Sequence, residues 1–234
     1  MVGSTDITVQ ADEDDEGSAV RAEIVKISSD SPESSLIKYA ADQIRAGEVL
    51  GMPTDTFYGL AADPFNLRAV DRVYDIKTRS RHKPLSLLIE SIDQAEELAK
   101  ELPEEFYSLA RKYWPGPLTI IVKAGSRLPL KVTANTGNVA LRVPNAKIPR
   151  AVVAAAAIPI TATSANLSGA SECTSAEQVH DQLQGRISII VDGGTSPRDV
   201  ASTIVDLTDD GARWRIIREG AIAADDISTF FANG

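Results

Sequence analysis

The chain has 234 residues, of which 43% are hydrophobic and 24% charged, as is usual for a globular protein with one large domain. A net charge of -9 and an aromatic content of 5% disfavour non-specific binding to nucleic acid or to an anionic membrane surface. Because Cys173 is the only cysteine, an internal disulfide is excluded, and two histidines with one cysteine cannot build a usual zinc site.

The pattern of apolar residues predicts strands alternating with helices along most of the chain. Residues 1–20 are acidic and polar, which predicts a disordered tail ahead of a single domain at 21–234. The expected elements follow in chain order: strand 24–27, helix 31–46, strand 48–52, helix 66–77, strand 85–89, a helix after residue 91, helix 103–113, strands 118–122 and 139–143, helix 147–157, strand 158–161, helix 175–184, and strands 187–191, 202–207 and 214–217.

Several residues mark where the predicted helices begin and end. Ser31 and Pro32 are typical of a cap and a first helical residue, and Asn66 is typical of a second cap. Ser91 with Gln94 matches a capping box. Since several strands are apolar throughout, we expect an α/β fold with one twisted mixed sheet flanked by helices.

No apolar run in the sequence is long enough to cross a bilayer. The N-terminus carries acidic residues in place of the basic and then apolar residues of a targeting signal. We therefore expect a cytoplasmic protein, or an organellar one if an upstream targeting segment is missing.

The segment Pro53-Thr54-Asp55-Thr56-Phe57-Tyr58-Gly59-Leu60 places hydroxyls and a carboxylate directly after a predicted strand. Ligands of α/β proteins bind outside strand ends of this kind. When this segment is taken alone, an ordinary turn in which Asp55 bonds its own backbone is the better explanation.

Four positive charges lie between the predicted helix end at residue 77 and the strand at 85–89: Lys77, Arg79, Arg81 and Lys83. One or two cations would be enough to stabilise a helix dipole, and four repel one another unless anions are near. Arginine suits bidentate phosphate contacts and lysine a point-charge contact. The cluster favours a polyphosphate site over a solvated basic surface.

A third segment, Thr161-Ala162-Thr163-Ser164-Ala165-Asn166-Leu167-Ser168-Gly169, combines small residues with hydroxyls and an amide after an apolar strand. Such a loop can bind an anion through backbone N–H groups, or it can simply cap a helix. It lacks the Gly-Lys-Ser/Thr ending of a P-loop. Arg142 and Arg218 each follow apolar strand residues, so each should have either an acidic partner or an anionic ligand.

Taken together, these segments resemble the YrdC-like family of threonylcarbamoyl-adenylate synthases, in its single-domain branch. The resemblance rests on eight motifs that follow one another in the family's order: PTDTFYGL at 53–60, K-x-R with KPL at 77–85, PGPLT at 115–119, ALRVP at 140–144, TSANLSG at 163–169, DGG at 192–194, STIVDL at 202–207 and IIREG at 216–220. It implies an α/β fold around a large, concave, positively lined cavity.

The resemblance also implies roles for individual residues. The catalytic set would be Lys77, Arg79, Ser164 and Asn166. The ATP-binding set would contain these four and also Lys83, Asn138 and Arg218, and the threonine-binding set would be Thr56, Arg142, Ala162 and Ser202. Some relatives have a histidine where this chain has Leu88, so this chain departs from the family pattern there. The resemblance assigns neither a protein-bound metal nor a general base.

The implied reaction converts ATP, L-threonine and bicarbonate, with Mg²⁺ accompanying ATP, into threonylcarbamoyl-AMP and pyrophosphate. The product would pass to the machinery that transfers the threonylcarbamoyl group to tRNA. An alternative is a module that binds tRNA or double-stranded RNA without turnover. A third possibility is a carbamoyl-transferring module of a larger maturation protein, which the absence of zinc-finger or acylphosphatase-like segments disfavours.

Overall fold

The computed structural model describes residues 22–209 and 213–232, so the tail expected at 1–20 lies outside the described residues. The strands are β1 Glu23–Lys26, β2 Leu50–Met52, β3 Gly59–Ala61, β4 Ser86–Leu88, β5 Leu118–Lys123, β6 Asn138–Arg142, β7 Ile160–Thr161, β8 Thr163–Ser164, β9 Ile189–Asp192, β10 Thr203–Asp206 and β11 Arg215–Arg218. The helices are α1 Ser34–Arg45, α2 Leu67–Lys77, α3 Ile92–Leu98, α4 Glu104–Tyr113, α5 Lys147–Ala156, α6 Ala176–Leu183 and α7 Ala224–Ala232.

The expected α/β class is confirmed, but the strands form two mixed sheets where the sequence analysis expects one. One sheet has the order β1-β9-β2-β3-β8, and the other has the order β11-β10-β5-β6-β4-β7. Parallel and antiparallel pairs occur in both sheets. No helix within the described residues is long and apolar enough to cross a membrane.

The chain passes from one sheet to the other at Ala162. This residue joins β7 of the second sheet to β8 of the first, and its N–H donates to Ser86 O at 2.8 Å. The sequence analysis missed β3 and β8, since strands of two or three residues with small or polar side chains carry no clear apolar alternation. It also missed α7.

The predicted helix starts are partly confirmed. Asn66 caps α2 by accepting from the N–H groups of Arg68 and Ala69. The prediction for α1 is wrong by two to three residues, because the helix begins at Ser34 and Glu33 precedes it without a side-chain cap. At α3, Ser91 accepts from Gln94 N–H, but the Gln94 side chain accepts from Glu90 N–H and not from the cap residue.

Candidate functional site

A cavity of about 180 Å³, here the central cavity, opens beside the point where the chain passes between the sheets. Its walls come from the loop before β3, from β4, from the end of β6 and from the segments at β8 and β10. The lining residues used below are Thr54, Thr56, Arg79, Ser86, Leu88, Thr119, Arg142, Ala162, Thr163, Ser164, Glu172, Ser202 and Arg218.

A second cavity of about 200 Å³, here the basic cavity, adjoins the central cavity. Arg79 and Ser164 line both, so the two cavities share a wall. The remaining lining residues of the basic cavity are Lys77, Ser80, Lys83, Asn166, Ser168 and Gly169. Three of its lining side chains are cationic and none is a carboxylate, so its field is positive.

Lys77 is the last residue of α2, and its side chain is only 2% exposed. Its ammonium group donates to the Asn166 side-chain oxygen at 2.8 Å, to Asn166 O at 3.0 Å and to Ser164 O. The Ser164 hydroxyl donates to the same Asn166 side-chain oxygen at 2.7 Å. Lys77 therefore ties the Ser164–Asn166 turn to the end of α2, so sequence-distant motifs form one unit.

Burial is the main cause that lowers the pKa of Lys77 to about 8, and the neighbouring Arg79 charge acts in the same direction. No acidic side chain within hydrogen-bonding distance compensates the ammonium group in the described residues. Lys77 is thus held by neutral acceptors in a site that would gain from a nearby anion.

Thr78 separates Lys77 from Arg79 and adopts a left-handed conformation with φ of 53°. The N–H groups of Thr78 and Arg79 close the helix end on Asp75 O at 3.1 Å and Tyr74 O at 2.9 Å. A β-branched residue is strained in this conformation. The turn takes the chain away from the helix axis and brings Arg79 to the wall between the two cavities.

Arg79 binds only neutral protein groups in the described residues. It donates to Thr163 Oγ1 at 3.3 Å and to Pro84 O at 3.1 Å, and its Nε is buried without a partner. Burial lowers the pKa of Arg79, but an arginine remains charged at neutral pH. Arg79 is therefore a charged donor available to an anion in either cavity.

The other two cations of the cluster lie in different surroundings. Arg81 pairs with Asp71 and, at 2.8 Å, with Asp75, both on α2. For Arg81, the nearby anions that the cluster calls for are thus supplied by α2. Lys83 is exposed and lines the basic cavity.

Arg142 ends β6 and lies in the wall of the central cavity at 6% exposure. Its guanidinium donates to Asp55 at 2.5 Å, to Thr56 Oγ1 at 3.0 Å and to Gly116 O at 3.0 Å. Burial lowers the pKa of Arg142, and Asp55 opposes this shift. Three of the five N–H groups of a guanidinium are engaged, which leaves two for a ligand.

Arg218 also lines the central cavity, and it belongs to β11, the edge strand of the second sheet. It donates to Ser202 O at 2.9 Å and to the Ser202 hydroxyl at 3.2 Å. The Ser202 hydroxyl in turn shares a 2.8 Å hydrogen bond with Thr119. Arg218 has no carboxylate within hydrogen-bonding distance in the described residues, and Ser202 holds it against the cavity.

The structure brings most of the predicted residues together. Thr56, Arg142, Ala162, Ser202 and Arg218 line the central cavity, Lys77, Lys83 and Asn166 line the basic cavity, and Arg79 with Ser164 lines both. Asn138 lines neither of them. It begins β6, four residues before Arg142, and its side chain donates to Thr208 at 3.3 Å.

Leu88, which the sequence analysis names as a departure from the family pattern, makes part of the central cavity wall apolar. Sequence reasoning missed two other residues of this wall, Thr119 and Glu172. Thr119 lies inside a motif that the resemblance already uses, so that motif could have identified it. Glu172 supplies the carboxylate of the lining, and no sequence signal marks it.

Cys173 follows the lining residue Glu172 in the chain. Cys173 is fully buried, and burial raises the pKa of its thiol to about 11, so it is a poor nucleophile. The described part of the chain contains no group of three or more His, Cys, Asp or Glu residues that could hold a metal ion.

Residues 42–220 match the model of the Sua5/YciO/YrdC family, which carries the description "Telomere recombination". The chain belongs to this family. It is 38% identical over 193 residues to a threonylcarbamoyl-AMP synthase of Pyrococcus abyssi, an alignment that covers 82% of this chain and 56% of the relative. It is 34% identical over 171 residues to a threonylcarbamoyl-AMP synthase of Pseudomonas fluorescens, covering 73% of this chain and 92% of that relative.

The fold matches solved structures of the family. The crystal structure of P. abyssi Sua5 complexed with L-threonine aligns with a TM-score of 0.85 and 36% identity, covering 89% of this chain and 61% of that chain. This chain spans about half the length of the P. abyssi relative and most of the length of the P. fluorescens relative.

Proposed function

We propose that this chain is an L-threonylcarbamoyladenylate synthase, which makes threonylcarbamoyl-AMP and pyrophosphate from ATP, L-threonine and bicarbonate. The single observation that carries the proposal is the shared wall of the two cavities at Arg79 and Ser164. One cavity has three cations and no carboxylate, as a triphosphate requires, and the other has hydroxyls and a partly engaged arginine, as an amino acid requires. The relatives named threonylcarbamoyl-AMP synthase support it.

In this proposal the central cavity holds threonine. The two free N–H groups of Arg142 face the substrate carboxylate, and Thr56 and Ser202 offer hydroxyls to its polar atoms. Ala162 lies at the crossing between the sheets, where a small side chain leaves room for the ligand. The Asp55–Arg142 pair fixes the arginine in place, so the substrate is bound by a preorganised group.

The basic cavity then holds the phosphates of ATP. Arg79 and Lys83 supply charge to the phosphate oxygens, and Lys77 keeps the Ser164–Asn166 turn in position. Arg218 lines the central cavity and not the basic cavity, so its assignment to ATP rests on the resemblance. Asn138 is assigned to ATP by resemblance alone, and it would need the nucleotide to extend along β6 from Arg142.

The chemistry consists of two steps on bound partners. The threonine amine attacks bicarbonate carbon, and loss of water gives a carbamate. A carbamate oxygen then attacks the α-phosphorus of ATP, and pyrophosphate leaves. Negative charge grows on the phosphate oxygens in the second step, and Arg79 stabilises it because the protein gives this cation no carboxylate of its own.

Mg²⁺ fits this site as a companion of ATP. Magnesium in nucleotide sites binds the substrate phosphates and one or two carboxylates, and it keeps several waters. Glu172 is the carboxylate of the central cavity lining that could contact it. The ion would neutralise phosphate charge. We place the reaction in the cytoplasm, where the product would pass to the tRNA threonylcarbamoyl-transfer machinery.

The test is an omission series that follows pyrophosphate release. We expect release only when ATP, L-threonine and bicarbonate are all present. Pyrophosphate without bicarbonate would indicate simple amino-acid activation and would contradict the proposal. Salt-dependent binding of tRNA or double-stranded RNA with no pyrophosphate under any condition would support the alternative of an RNA-binding module.

A further inference from the structure

Among the described residues that line the central cavity, Glu172 carries the only carboxylate. Three arginines, Arg79, Arg142 and Arg218, line the same cavity, whereas Asp55, the partner of Arg142, does not. An amino acid is a zwitterion, so its ammonium group needs an acceptor in the cavity that binds its carboxylate. Without a nearby negative charge, the three guanidinium groups would repel that ammonium group.

Hydrogen bonds from two motifs of the site hold the backbone on both sides of Glu172. The Asn166 side chain donates to Ala170 O at 2.6 Å, shortly before Glu172. Tyr58 N–H donates to Cys173 O at 2.8 Å, directly after it. Asn166 belongs to the TSANLSG segment and Tyr58 to the PTDTFYGL segment. Glu172 therefore has a fixed position between two segments that build the cavity wall.

The Glu172 carboxylate is only partly exposed, yet it forms no hydrogen bond or ion pair within the described residues. Its charge nevertheless acts on two cations of the site, because it opposes the decrease that burial causes in the pKa of Lys77 and of Arg218. Other buried or partly buried carboxylates are paired with arginines, namely Glu48, Glu105 and Asp206. Glu172 is thus an acceptor at the central cavity that no protein donor occupies.

We propose that Glu172 binds the ammonium group of the amino-acid substrate. The inference rests on the proposed function, because it takes threonine to occupy the central cavity with its carboxylate at Arg142. The substrate then lies between opposite charges, which fixes the position of its nitrogen. An α-hydroxy acid has no ammonium group, so Glu172 would only repel its carboxylate. Glu172 therefore makes the cavity selective for α-amino acids over α-hydroxy acids.

The test is isothermal titration calorimetry of the full-length chain with L-threonine and with 2,3-dihydroxybutanoate, in which a hydroxyl replaces the ammonium group. The titrations contain neither ATP nor Mg²⁺, so the metal contact suggested above for the same carboxylate plays no part. Glu172→Gln should weaken L-threonine binding by on the order of tenfold or more, because the ammonium group loses a charged acceptor. Binding of 2,3-dihydroxybutanoate should stay the same or become tighter, because the repulsion between two carboxylates is removed.

Glu177→Gln is the matched control. Glu177 is an exposed carboxylate in the first turn of α6, and it lines neither the central nor the basic cavity. This variant should keep both affinities within about twofold of wild type. The use of two ligands separates a contact with the ammonium group from a general change in the cavity, which would weaken both ligands alike.

Equal affinities of wild type and Glu172→Gln for L-threonine would overturn the inference and leave the proposed function intact. If turnover of that variant then needed more Mg²⁺, the carboxylate would serve the metal. Equal weakening of L-threonine and 2,3-dihydroxybutanoate would assign Glu172 a structural role, which also overturns the inference. A wild-type chain that binds no L-threonine would contradict the threonine site of the proposed function, together with the inference that rests on it.

Discussion

The cations of the proposed active site differ in the partners that the protein gives them. In the central cavity, Arg142 has a carboxylate partner in Asp55 at 2.5 Å, and the pair is buried. In the basic cavity, Lys77 and Arg79 bind only carbonyl, hydroxyl and amide oxygens. Asp55 therefore balances the charge of Arg142 and holds it in place. The charges of Lys77 and Arg79 have no carboxylate partner in the described residues, so a bound anionic ligand would balance them.

The largest expected effect is on stability, at the paired cation. Arg142→Ala leaves the Asp55 carboxylate buried without its partner, so the free energy of unfolding should fall by about 3–5 kcal/mol. Urea denaturation, monitored by tryptophan fluorescence, measures this free energy of unfolding. In the double variant Asp55→Ala with Arg142→Ala, part of the loss should return; if the double variant loses the sum of both single losses, the pair has no coupling energy.

A large effect on turnover is expected at the unpaired cation. Arg79→Ala should lower turnover by about a hundredfold, as does the loss of a charge that stabilises a transition state, with a change in stability below about 1 kcal/mol. Arg81→Ala is the matched control, since Arg81 pairs with Asp71 and Asp75 outside both cavities and should keep nearly full turnover. Equal losses in the two variants would remove the distinction between them.

A smaller effect concerns the pH dependence of stability. The pKa of Lys77 is about 8 in the folded chain against an ordinary value of 10.5, so between these values the unfolded chain binds more protons. The Lys77 contribution to the free energy of unfolding therefore rises with pH across this window, and below it the contribution is constant. The stability difference between wild type and Lys77→Met should shift in favour of wild type by about 1 kcal/mol from pH 8 to pH 9.

Urea denaturation of both proteins at half-unit pH steps measures this difference. A difference that stays level would show that the neutral acceptors around Lys77 hold its pKa near the ordinary value, and a difference that moves in favour of Lys77→Met as the pH rises would show a pKa above that value.

The smallest effect is expected at the N-terminus. Removal of residues 1–20 should leave turnover within about twofold, because the family match begins at residue 42 and both cavities are built from later residues. The measurement is the steady-state turnover of the full-length chain and of the chain without residues 1–20. A large loss would mean that the acidic tail acts on the central cavity or on the basic cavity.

The order of motifs in the sequence was sufficient to predict which loops meet. Lys77 and Asn166 are 89 positions apart in the chain, yet the resemblance grouped them and the structure joins them by a 2.8 Å hydrogen bond. The difference between Arg79 and Arg81 could not be predicted from composition, because both follow the same helix end. It depends on the Thr78 turn, which directs one arginine to the cavities and the other back to α2.

The alternation of strands and helices predicted the fold class but not the division into two sheets. Apolar alternation does not say which strands pair with one another, and β3 and β8 of the first sheet, with three and two residues, are too short to show a pattern. The sequence analysis also did not predict the Asp55–Arg142 pair. Its two residues are 87 positions apart, and a turn in which Asp55 bonds its own backbone already explained the presence of this residue.

The most direct test of the two-cavity account is mass spectrometry of the products formed from ATP, L-threonine and ¹³C-labelled bicarbonate. The account predicts an adenylate that contains threonine and one ¹³C atom, together with unlabelled pyrophosphate in equal amount. Cleavage of ATP to ADP and phosphate, or an adenylate of threonine without the label, would contradict it.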